Sequence, residues 1–329
     1  MLDGELDRAL SCPVERDRPL APLCSLGVGG RAELYVEPDR IEDFRALRLS
    51  SVQRGFPVHI LGGGTNVLFP DGLVRGAVLS TRRWTGASWR EGEDGGEIEV
   101  RAGQPLPLLV DEAARRGLGG LEFAIGIPGT VGGALTGNAG AGGRSVGELV
   151  TEVTSLEPDG SLRTWRREDI SYAYRSFALA EEGRLFLSLR MVLRPRPSEE
   201  IKAEVERFRA MRAMQPRGVR SAGCVFKNPP GQSAGRILDQ CGCKGMEVGD
   251  AVVSDVHANF ILDRGRATSS DVVSLMRACQ ERAFERTGIW LEPEVKAIGF
   301  EGAHLRPGLD FEGKSRSCAD RGYFCSLSS

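Results

Sequence analysis

The chain has 329 residues, with 43 lysines and arginines against 45 aspartates and glutamates, and a formal net charge of −2. This balance gives no electrostatic reason to expect a nucleic acid or an anionic membrane as a partner. No apolar run approaches the roughly 20 residues of a membrane-spanning helix, and the first residues have neither the basic nor the apolar part of a secretion signal. We therefore expect a cytoplasmic protein of two domains that binds neither nucleic acid nor membrane.

The cysteines predict free thiols. Eight are present, but no Cys-x-x-Cys pair occurs. A chain of this length is not a small secreted scaffold, where an even cysteine count would suggest disulfides. Cys241 and Cys243 fall on a predicted helix, where residues two apart do not face each other. We expect buried thiols and no metal site.

The first part of the chain predicts mixed helices and strands. The patterns indicate strands at 58–61, 77–80 and 97–102, a helix over 106–116, a hairpin turn at 157–160 and a strand over 185–190. Two prolines, Pro195 and Pro197, then interrupt the chain. We place a domain boundary there, which gives an N-terminal segment 1–21 and a first domain 22–196.

The second domain is predicted to span 197–300. Its patterns indicate helices over 199–214, 233–242 and 269–287 and strands at 258–262 and 295–298. Thr268 and Asp271 have the spacing of a capping box, and Gly288 is placed to end that last helix. The tail 301–329 is polar and aperiodic, and it is predicted to be disordered.

Glycine marks two candidate ligand loops. Gly62-Gly63-Gly64-Thr65-Asn66 follows a predicted strand, so that backbone N–H groups can point at an anion. It is neither a Walker loop nor a Rossmann fingerprint, and alone it fits a tight surface turn equally well. A second run from Gly126 to Gly142 makes turns a poor explanation, because each glycine weakens the element that contains it. Together the loops predict a nucleotide site, and the candidate cofactor-binding residues are Gly62, Gly63, Gly64, Thr65, Asn66, Gly126, Ile127, Pro128, Gly129, Thr130, Gly132, Gly133, Asn138 and Gly140.

These motifs resemble those of known flavoproteins. The strings LGGGTNVL, FAIGIPGTVGGAL and NAGAGG are similar to the FAD-binding domain of the vanillyl-alcohol-oxidase (PCMH) type. Their order, followed by AYRS at 173–176, SAGCVFKNP at 221–229 and LEPEV at 291–295, resembles the UDP-N-acetylenolpyruvoylglucosamine reductase family. The resemblance runs from about Pro22 to Gly299. Only 49 positions (224 − 175) separate Arg175 from Cys224, which resembles the shorter subtype that lacks a tyrosine-bearing loop.

The resemblance implies a fold, a cofactor and a reaction. The fold is α+β, with a PCMH-type FAD-binding domain and a smaller α+β substrate-binding domain at the C-terminus. FAD is bound non-covalently, NADPH is the hydride donor, and UDP-N-acetylglucosamine enolpyruvate is reduced to UDP-N-acetylmuramate for peptidoglycan synthesis. When one carbon of the substrate receives the hydride, negative charge develops on the neighbouring carbon as an enolate. That carbon must then be protonated. The flavin carries the hydride chemistry, and the protein supplies position, charge and the proton.

Three residues match the family's catalytic positions. Arg175 would bind the substrate carboxylate and stabilise the enolate; otherwise it is a surface ion pair. Glu294 would be protonated, with a pKa raised by burial; otherwise it is a carboxylate at a strand edge. Cys224, in a predicted turn, would donate the proton; otherwise it is a buried structural thiol. A free thiol has a pKa of about 8.5, and we expect Lys227 to lower that of Cys224.

The substrate-binding candidates are Tyr174, Arg212, Lys227 and Asn228. His257 is expected to be structural, at the start of a strand. Ser25 stands where the family usually has threonine, and Phe177 where it often has serine.

Two alternatives remain at this point. One is another FAD-dependent oxidoreductase of the same fold that acts on a sugar or an alcohol. The other is a non-catalytic module that binds a nucleotide sugar, although binding alone does not require Arg175, Cys224 and Glu294 together.

Overall fold

The computed structural model describes residues 4–92, 95–180 and 184–300. The predicted tail 301–329 lies outside the described residues. Within them the helices, α1 to α7 in chain order, are Glu5–Ala9, Ile41–Arg54, Leu106–Arg115, Val131–Thr136, Ser198–Ala213, Ala234–Gln240 and Ser269–Thr287. The strands, β1 to β20, are Val14–Pro19, Arg31–Val36, Val58–Leu61, Val67–Leu68, Leu73–Ser80, Ala87–Gly92, Gly95–Arg101, Leu118–Gly119, Gly140–Ala141, Arg144–Ser145, Val150–Leu156, Leu162–Arg166, Tyr172–Ala173, Ser176–Phe177, Leu185–Pro195, Arg220–Cys224, Glu247–Val248, Ala251–Val253, Phe260–Asp263 and Lys296–Ala297.

Two sheets build the first part of the chain. The first has the order β1-β2-β5-β3, in which β5 runs parallel to both neighbours. From Ala77 to Ser80 every residue of β5 is buried, as expected of a central strand covered on both faces. The second sheet is antiparallel, with the order β12-β11-β15-β7-β6 and with β8 added on β15. Because β1 begins at Val14, the first sheet includes residues of the predicted N-terminal segment.

The C-terminal part is a smaller antiparallel sheet with helices on it. Its order is β16-β19-β18-β17, and α7 packs on one face through buried residues such as Val272 and Met276. Thr268 and Asp271 form the predicted capping box, and Gly288 ends α7 in the left-handed conformation. Helix α6 ends at Gln240. Cys241 therefore lies at the helix end and Cys243 beyond it, which corrects their predicted place inside a helix.

Hydrophobic side chains pack across the predicted domain boundary. Strand β15 ends at Pro195 and α5 begins at Ser198, where the prolines predicted a break. Phe208 of α5 nevertheless packs into the core beneath the six-stranded sheet, while Leu26 and Leu68 pack into the C-terminal core. The boundary at 196/197 remains a prediction about the chain, whereas the hydrophobic contacts cross it in both directions.

A carboxylate also ties the two parts together. Both oxygens of Asp71 accept hydrogen bonds at the beginning of α7, from the backbone N–H groups of Ser269 at 2.6 Å and Ser270 at 2.9 Å, and from the Ser270 hydroxyl at 2.6 Å. A carboxylate at this position satisfies N–H groups that the helix itself leaves free. The start of α7 is thus fixed to a loop of the first domain.

Candidate active site

The first glycine loop follows β3, and its carbonyl groups accept hydrogen bonds from the rest of the protein. Arg82 donates to the carbonyls of Gly62 at 3.3 Å and Gly63 at 3.0 Å, and the N–H of Ser25 donates to the carbonyl of Gly64 at 2.9 Å. By contrast, no backbone N–H of residues 62–66 donates a hydrogen bond within the described part of the chain. Backbone donors normally find a partner. A row of free N–H groups on one loop is therefore suited to an anionic ligand.

The second glycine loop packs directly on the first. A Cβ atom at Gly63 would lie 2.5 Å from the Cα of Gly129, and one at Gly129 would lie 2.8 Å from the Thr65 hydroxyl. The N–H groups of Gly129 and Thr130 also donate no hydrogen bond to the residues that the structure describes. The sequence suggested that these glycines leave room for a ligand. The structure shows that they also leave room for each other's loops.

Arg82 is a residue that the sequence analysis missed. Its guanidinium group donates to the carbonyl of Leu23 at 2.6 Å as well as to those of Gly62 and Gly63. These three acceptors are neutral, and Arg82 forms no ion pair with the residues that the structure describes, so its positive charge stays available beside the loop. Arg83, the next residue, instead pairs with Asp39 at the surface. Nothing in the sequence indicates which of the two arginines faces the loop.

Arg175 lies in a strained turn. It follows Tyr174 in the two-residue connection of β13 and β14, and its φ of 55° is in the left-handed region. Such a φ normally selects glycine or asparagine, so a bulky residue there indicates a functional constraint. The side chain of Asn138 fixes the turn, since its Nδ2 donates to the carbonyl of Ala173 at 2.8 Å and its Oδ1 accepts from Gly147 at 2.9 Å. Asn138, predicted to bind the cofactor, thus anchors the turn of Arg175.

The three predicted reacting residues come together from three distant parts of the chain. Cys224 is the last residue of β16, at an irregularity of the strand rather than in the predicted turn. The N–H of Glu294 donates to the carbonyl of Val225, the neighbour of Cys224, at 2.8 Å. The Nε of Arg175 lies 2.5 Å from the Oε1 of Glu294. Arg175 therefore faces Glu294 where the sequence predicted a substrate carboxylate.

Burial sets the protonation of this cluster. It raises the pKa of Glu294, against the effect of Arg175, as the sequence predicted. Burial also raises the pKa of the Cys224 thiol to about 12, and the Glu294 charge adds to this while Arg175 and Arg212 oppose it. The expectation of a lowered thiol pKa was wrong, because Lys227 forms an ion pair with Glu292 at 2.5 Å and burial dominates at Cys224.

The predicted substrate residues surround the cluster. The N–H of Asn228 donates to the Tyr174 hydroxyl at 3.3 Å, and Tyr174 is 53% exposed. A Cβ atom placed on Gly126 would lie 3.0 Å from the Cδ of Arg212, so this arginine packs along the second glycine loop. The Nε of Arg212 is buried and has no hydrogen-bond partner among the described residues.

The remaining cofactor candidates have packing roles in the structure, and their contact with a ligand stays a prediction. Thr65 donates to the carbonyl of Pro128 at 3.3 Å, which joins the loops. A Cβ at Gly132 would lie 2.8 Å from that of Ala102, and one at Gly140 would lie 2.2 Å from the carbonyl of Arg144. Ile127 belongs to the second loop, whereas Gly133 lies in helix α4, which follows this loop.

Three further residues that the sequence singled out have structural explanations. The Nδ1 of His257 accepts from the N–H of Asn259 at 3.2 Å, in the turn before β19. Ser25 donates to the carbonyl of Ser221 at 2.6 Å, so serine makes this link between the domains. Phe177 is buried and packs edge-to-face on Phe186, with ring centroids 5.6 Å apart.

The arrangement fits a large anionic nucleotide. Both loops present free N–H groups, Arg82 adds positive charge, and the Oδ1 of Asn66 and the Nε of Arg212 are buried polar atoms without a hydrogen bond in the described part of the chain. The profile of the FAD-binding domain family matches residues 32–166, and these include most of β2, the first glycine loop and the second loop. The fold and this site therefore define an FAD-binding protein of the α+β class predicted from the sequence.

The comparisons also define the family. The profile of the C-terminal domain of UDP-N-acetylenolpyruvoylglucosamine reductase matches residues 215–298. UDP-N-acetylenolpyruvoylglucosamine reductase 2 of Symbiobacterium thermophilum is 43% identical over 288 residues, which is 87% of this chain and 92% of the relative. The reductase of Synechococcus elongatus is 40% identical over 283 residues, which is 85% of this chain and 93% of the relative. The crystal structure of the reductase from Thermus caldophilus matches with a TM-score of 0.74 and 36% identity, over 87% of this chain and 99% of that one. The chain belongs to the UDP-N-acetylenolpyruvoylglucosamine reductase family, as its motifs predicted.

No helix in the described part of the chain is both long and apolar enough to cross a membrane. The cytoplasmic location stays a prediction.

Proposed function

We propose that this protein reduces UDP-N-acetylglucosamine enolpyruvate to UDP-N-acetylmuramate with NADPH, through non-covalently bound FAD, in the synthesis of peptidoglycan precursors. Membership of the reductase family supports the activity and the cofactor. One observation supports it at the level of the site. Arg175, Cys224 and Glu294, which lie far apart in the sequence, meet where a glycine loop suited to an anion approaches them.

The charges of the cluster suit an anionic substrate. Arg175 and Arg212 are positive, Cys224 holds its proton, and burial raises the pKa of Glu294. When Glu294 is protonated, Arg175 no longer has an ionic partner in this pair. Its planar guanidinium group then binds the substrate carboxylate and stabilises the charge that spreads onto it. An ionised Glu294 would instead compete with the substrate for Arg175 and repel the developing enolate.

Cys224 is the proposed proton donor. A donor to carbon must carry its proton when the enolate forms. The pKa of about 12 keeps the thiol protonated throughout the physiological range. The same low-polarity surroundings that make the thiol a weak acid in the ligand-free protein also make a neighbouring enolate a strong base, so the transfer remains downhill toward carbon.

FAD, when bound, supplies the hydride transfer chemistry that no side chain can provide. The free N–H groups of residues 62–65 and of Gly129 and Thr130 would hold its diphosphate. Lys227, Asn228 and Tyr174 border the cluster on the side of the C-terminal sheet and would bind the nucleotide sugar.

The activity is tested with the purified full chain. The protein should be yellow and should release free FAD on denaturation, and more than one equivalent of NADPH per flavin should be consumed only when UDP-N-acetylglucosamine enolpyruvate is present. Mass spectrometry should find a product heavier than the substrate by two hydrogen atoms. A flavin that sugars or alcohols reduce, with no product from the enolpyruvyl ether, would favour the oxidase alternative. A colourless protein that FAD does not reconstitute would favour the non-catalytic module.

A further inference from the structure

The segment that carries Glu294 lies between the two halves of the site. We call residues 292–298 the Glu294 segment. On one side the N–H of Lys227 donates to the carbonyl of Glu292 at 2.8 Å, and the N–H of Glu294 donates to Val225. On the other side β20 of this segment pairs in parallel with β4, which directly follows the first glycine loop. The segment thus joins the Cys224 strand of the C-terminal domain to the glycine loop of the first domain.

Asn66 makes the contact that reaches Glu294 itself. Its Nδ2 donates to the backbone carbonyl of Glu294 at 3.1 Å, and its own carbonyl accepts from the N–H of Lys296 at 3.1 Å. The peptide groups of Glu294 are therefore held on both sides, by Val225 and by Asn66. No other side chain of the first glycine loop hydrogen-bonds to this segment within the described residues.

The other end of the same amide is unused. The Oδ1 of Asn66 is buried and has no hydrogen-bond partner in the part of the chain that the structure describes. A buried acceptor without a partner costs free energy of about 1–3 kcal/mol, so a donor from a ligand at the loop would stabilise it. One amide group can then contact the cofactor through Oδ1 and hold Glu294 through Nδ2.

We propose that Asn66 is a positioning residue that makes the placement of Glu294 depend on occupancy of the cofactor loop. This inference rests on the proposed function for the role of Glu294, but not for the contacts. A ligand N–H or hydroxyl on Oδ1 fixes the amide plane, and the fixed Nδ2 holds the Glu294 carbonyl. The side chain then stays beside Arg175 and Cys224 in surroundings that raise its pKa. Without this bond the segment gains freedom, water reaches the carboxyl group, and its pKa falls toward the ordinary value.

Hydrogen exchange tests the link without any turnover. In the wild-type chain, FAD should slow amide exchange across residues 292–298 several-fold relative to the FAD-free protein. In Asn66→Ala, measured at saturating FAD, this slowing should be lost from the Glu294 segment but retained around Gly129. Gln280→Ala is the matched control, since the buried Gln280 amide donates to the carbonyl of Leu291 at 2.8 Å, just before the segment, and is not part of the glycine loop. It should loosen Leu291 yet keep the FAD-dependent slowing.

The consequence is tested by measuring two half-reactions separately. In the first, NADPH reduces the flavin, and in the second, the reduced flavin reduces the enolpyruvyl substrate. With FAD saturating, Asn66→Ala should slow reduction of the enolpyruvyl substrate more than it slows reduction of the flavin by NADPH, so that the ratio of the two rates falls roughly tenfold to a hundredfold, the scale of a misplaced group. The loss should grow with pH, because a Glu294 of lower pKa ionises earlier. Asn66→Asp keeps the size of the side chain and replaces the donor with an acceptor, so it should show the same split if the alanine variant folds poorly.

Two outcomes overturn the inference. One is an unchanged FAD-dependent slowing over residues 292–298 in both Asn66 variants. The other is an unchanged ratio of the two half-reactions and an unshifted pH profile. If the wild-type chain itself does not reduce the enolpyruvyl ether, the proposed function fails, and the exchange experiment still decides whether Asn66 links the loop to Glu294.

Discussion

The Cys224 thiol should be far less acidic than a free cysteine. Burial raises its pKa to about 12, with a further contribution from Glu294. At pH 9 a free thiol with a pKa of about 8.5 is mostly ionised, whereas a pKa of about 12 leaves roughly one thiolate in a thousand. Because only the thiolate reacts with an alkylating reagent, Cys224 in the ligand-free protein should react more slowly than a free thiol by roughly two to three orders of magnitude.

Alkylation by iodoacetamide, followed by peptide mass spectrometry between pH 7 and 10.5, measures this directly. A peptide of residues 221–227 serves as the free-thiol reference. Glu294→Gln removes a charge that raises the thiol pKa, so it should speed alkylation, whereas Arg212→Met removes an opposing charge and should slow it. A wild-type reaction that titrates near pH 8.5, at the rate of the reference peptide, would refute the account of burial.

The same shift changes what a pH profile of the second half-reaction can report. The pKa of Cys224 is too high for ionisation of its thiol to limit the rate near pH 9. Cys224→Ser should therefore leave the alkaline limb where it is, and Cys224→Ala should slow product formation by orders of magnitude while flavin reduction continues. A limb that moves upward in Cys224→Ser would assign it to the thiol and contradict the raised pKa.

Three further outcomes are expected. Arg175→Ala should leave flavin reduction by NADPH within about threefold and slow substrate reduction by at least a hundredfold in stopped-flow absorbance; equal slowing of both would place Arg175 at the cofactor. Arg82→Met should raise the Kd for FAD at least tenfold in a fluorescence titration, since charged hydrogen bonds contribute about 1.5–3 kcal/mol, whereas Arg83→Met should not. Against the effect of burial, hydrogen bonds from Ser270 and Ser269 hold the pKa of Asp71 below 3.8. Asp71 therefore stabilises the folded protein above pH 3.8, and this stabilisation is lost as the pH falls through the lower, folded-state pKa. Asp71→Asn should lower the Tm at pH 7, and on acidification the Tm of the variant should fall less than that of the wild type. Plots of Tm against pH that run parallel for the two proteins would contradict this.

The sequence predicts elements whose signals are local. The apolar stripe from Leu106 and the capping box at Thr268 place α3 and α7 to within about a residue, because both depend on neighbours in the chain. Strand β1 was missed because its residues, at Val14–Pro19, are mostly charged and exposed. An edge strand of this kind carries little hydrophobic pattern, and only its pairing with β2 defines it.

For the site, the sequence identifies residues better than their surroundings. The family motifs predicted Arg175, Cys224 and Glu294, but no local pattern indicates that Arg175 faces Glu294. The direction of the Cys224 pKa shift was wrong for the same reason. Lys227 is near in sequence, yet its charge pairs with Glu292, and the burial that controls the thiol arises from distant segments.

The contact between Gly63 and Gly129 has a consequence for how the cofactor enters. Because the backbones of the two loops touch, each restrains the other even in the ligand-free chain. A preorganised pair of loops loses little conformational entropy when a ligand binds, because the loops already became ordered when the chain folded. Reassociation of FAD with the stripped protein should then be a single, concentration-dependent process without a slow ordering phase. The same contact means that the two positions cannot vary independently, and libraries built to alter cofactor preference should keep both as glycine.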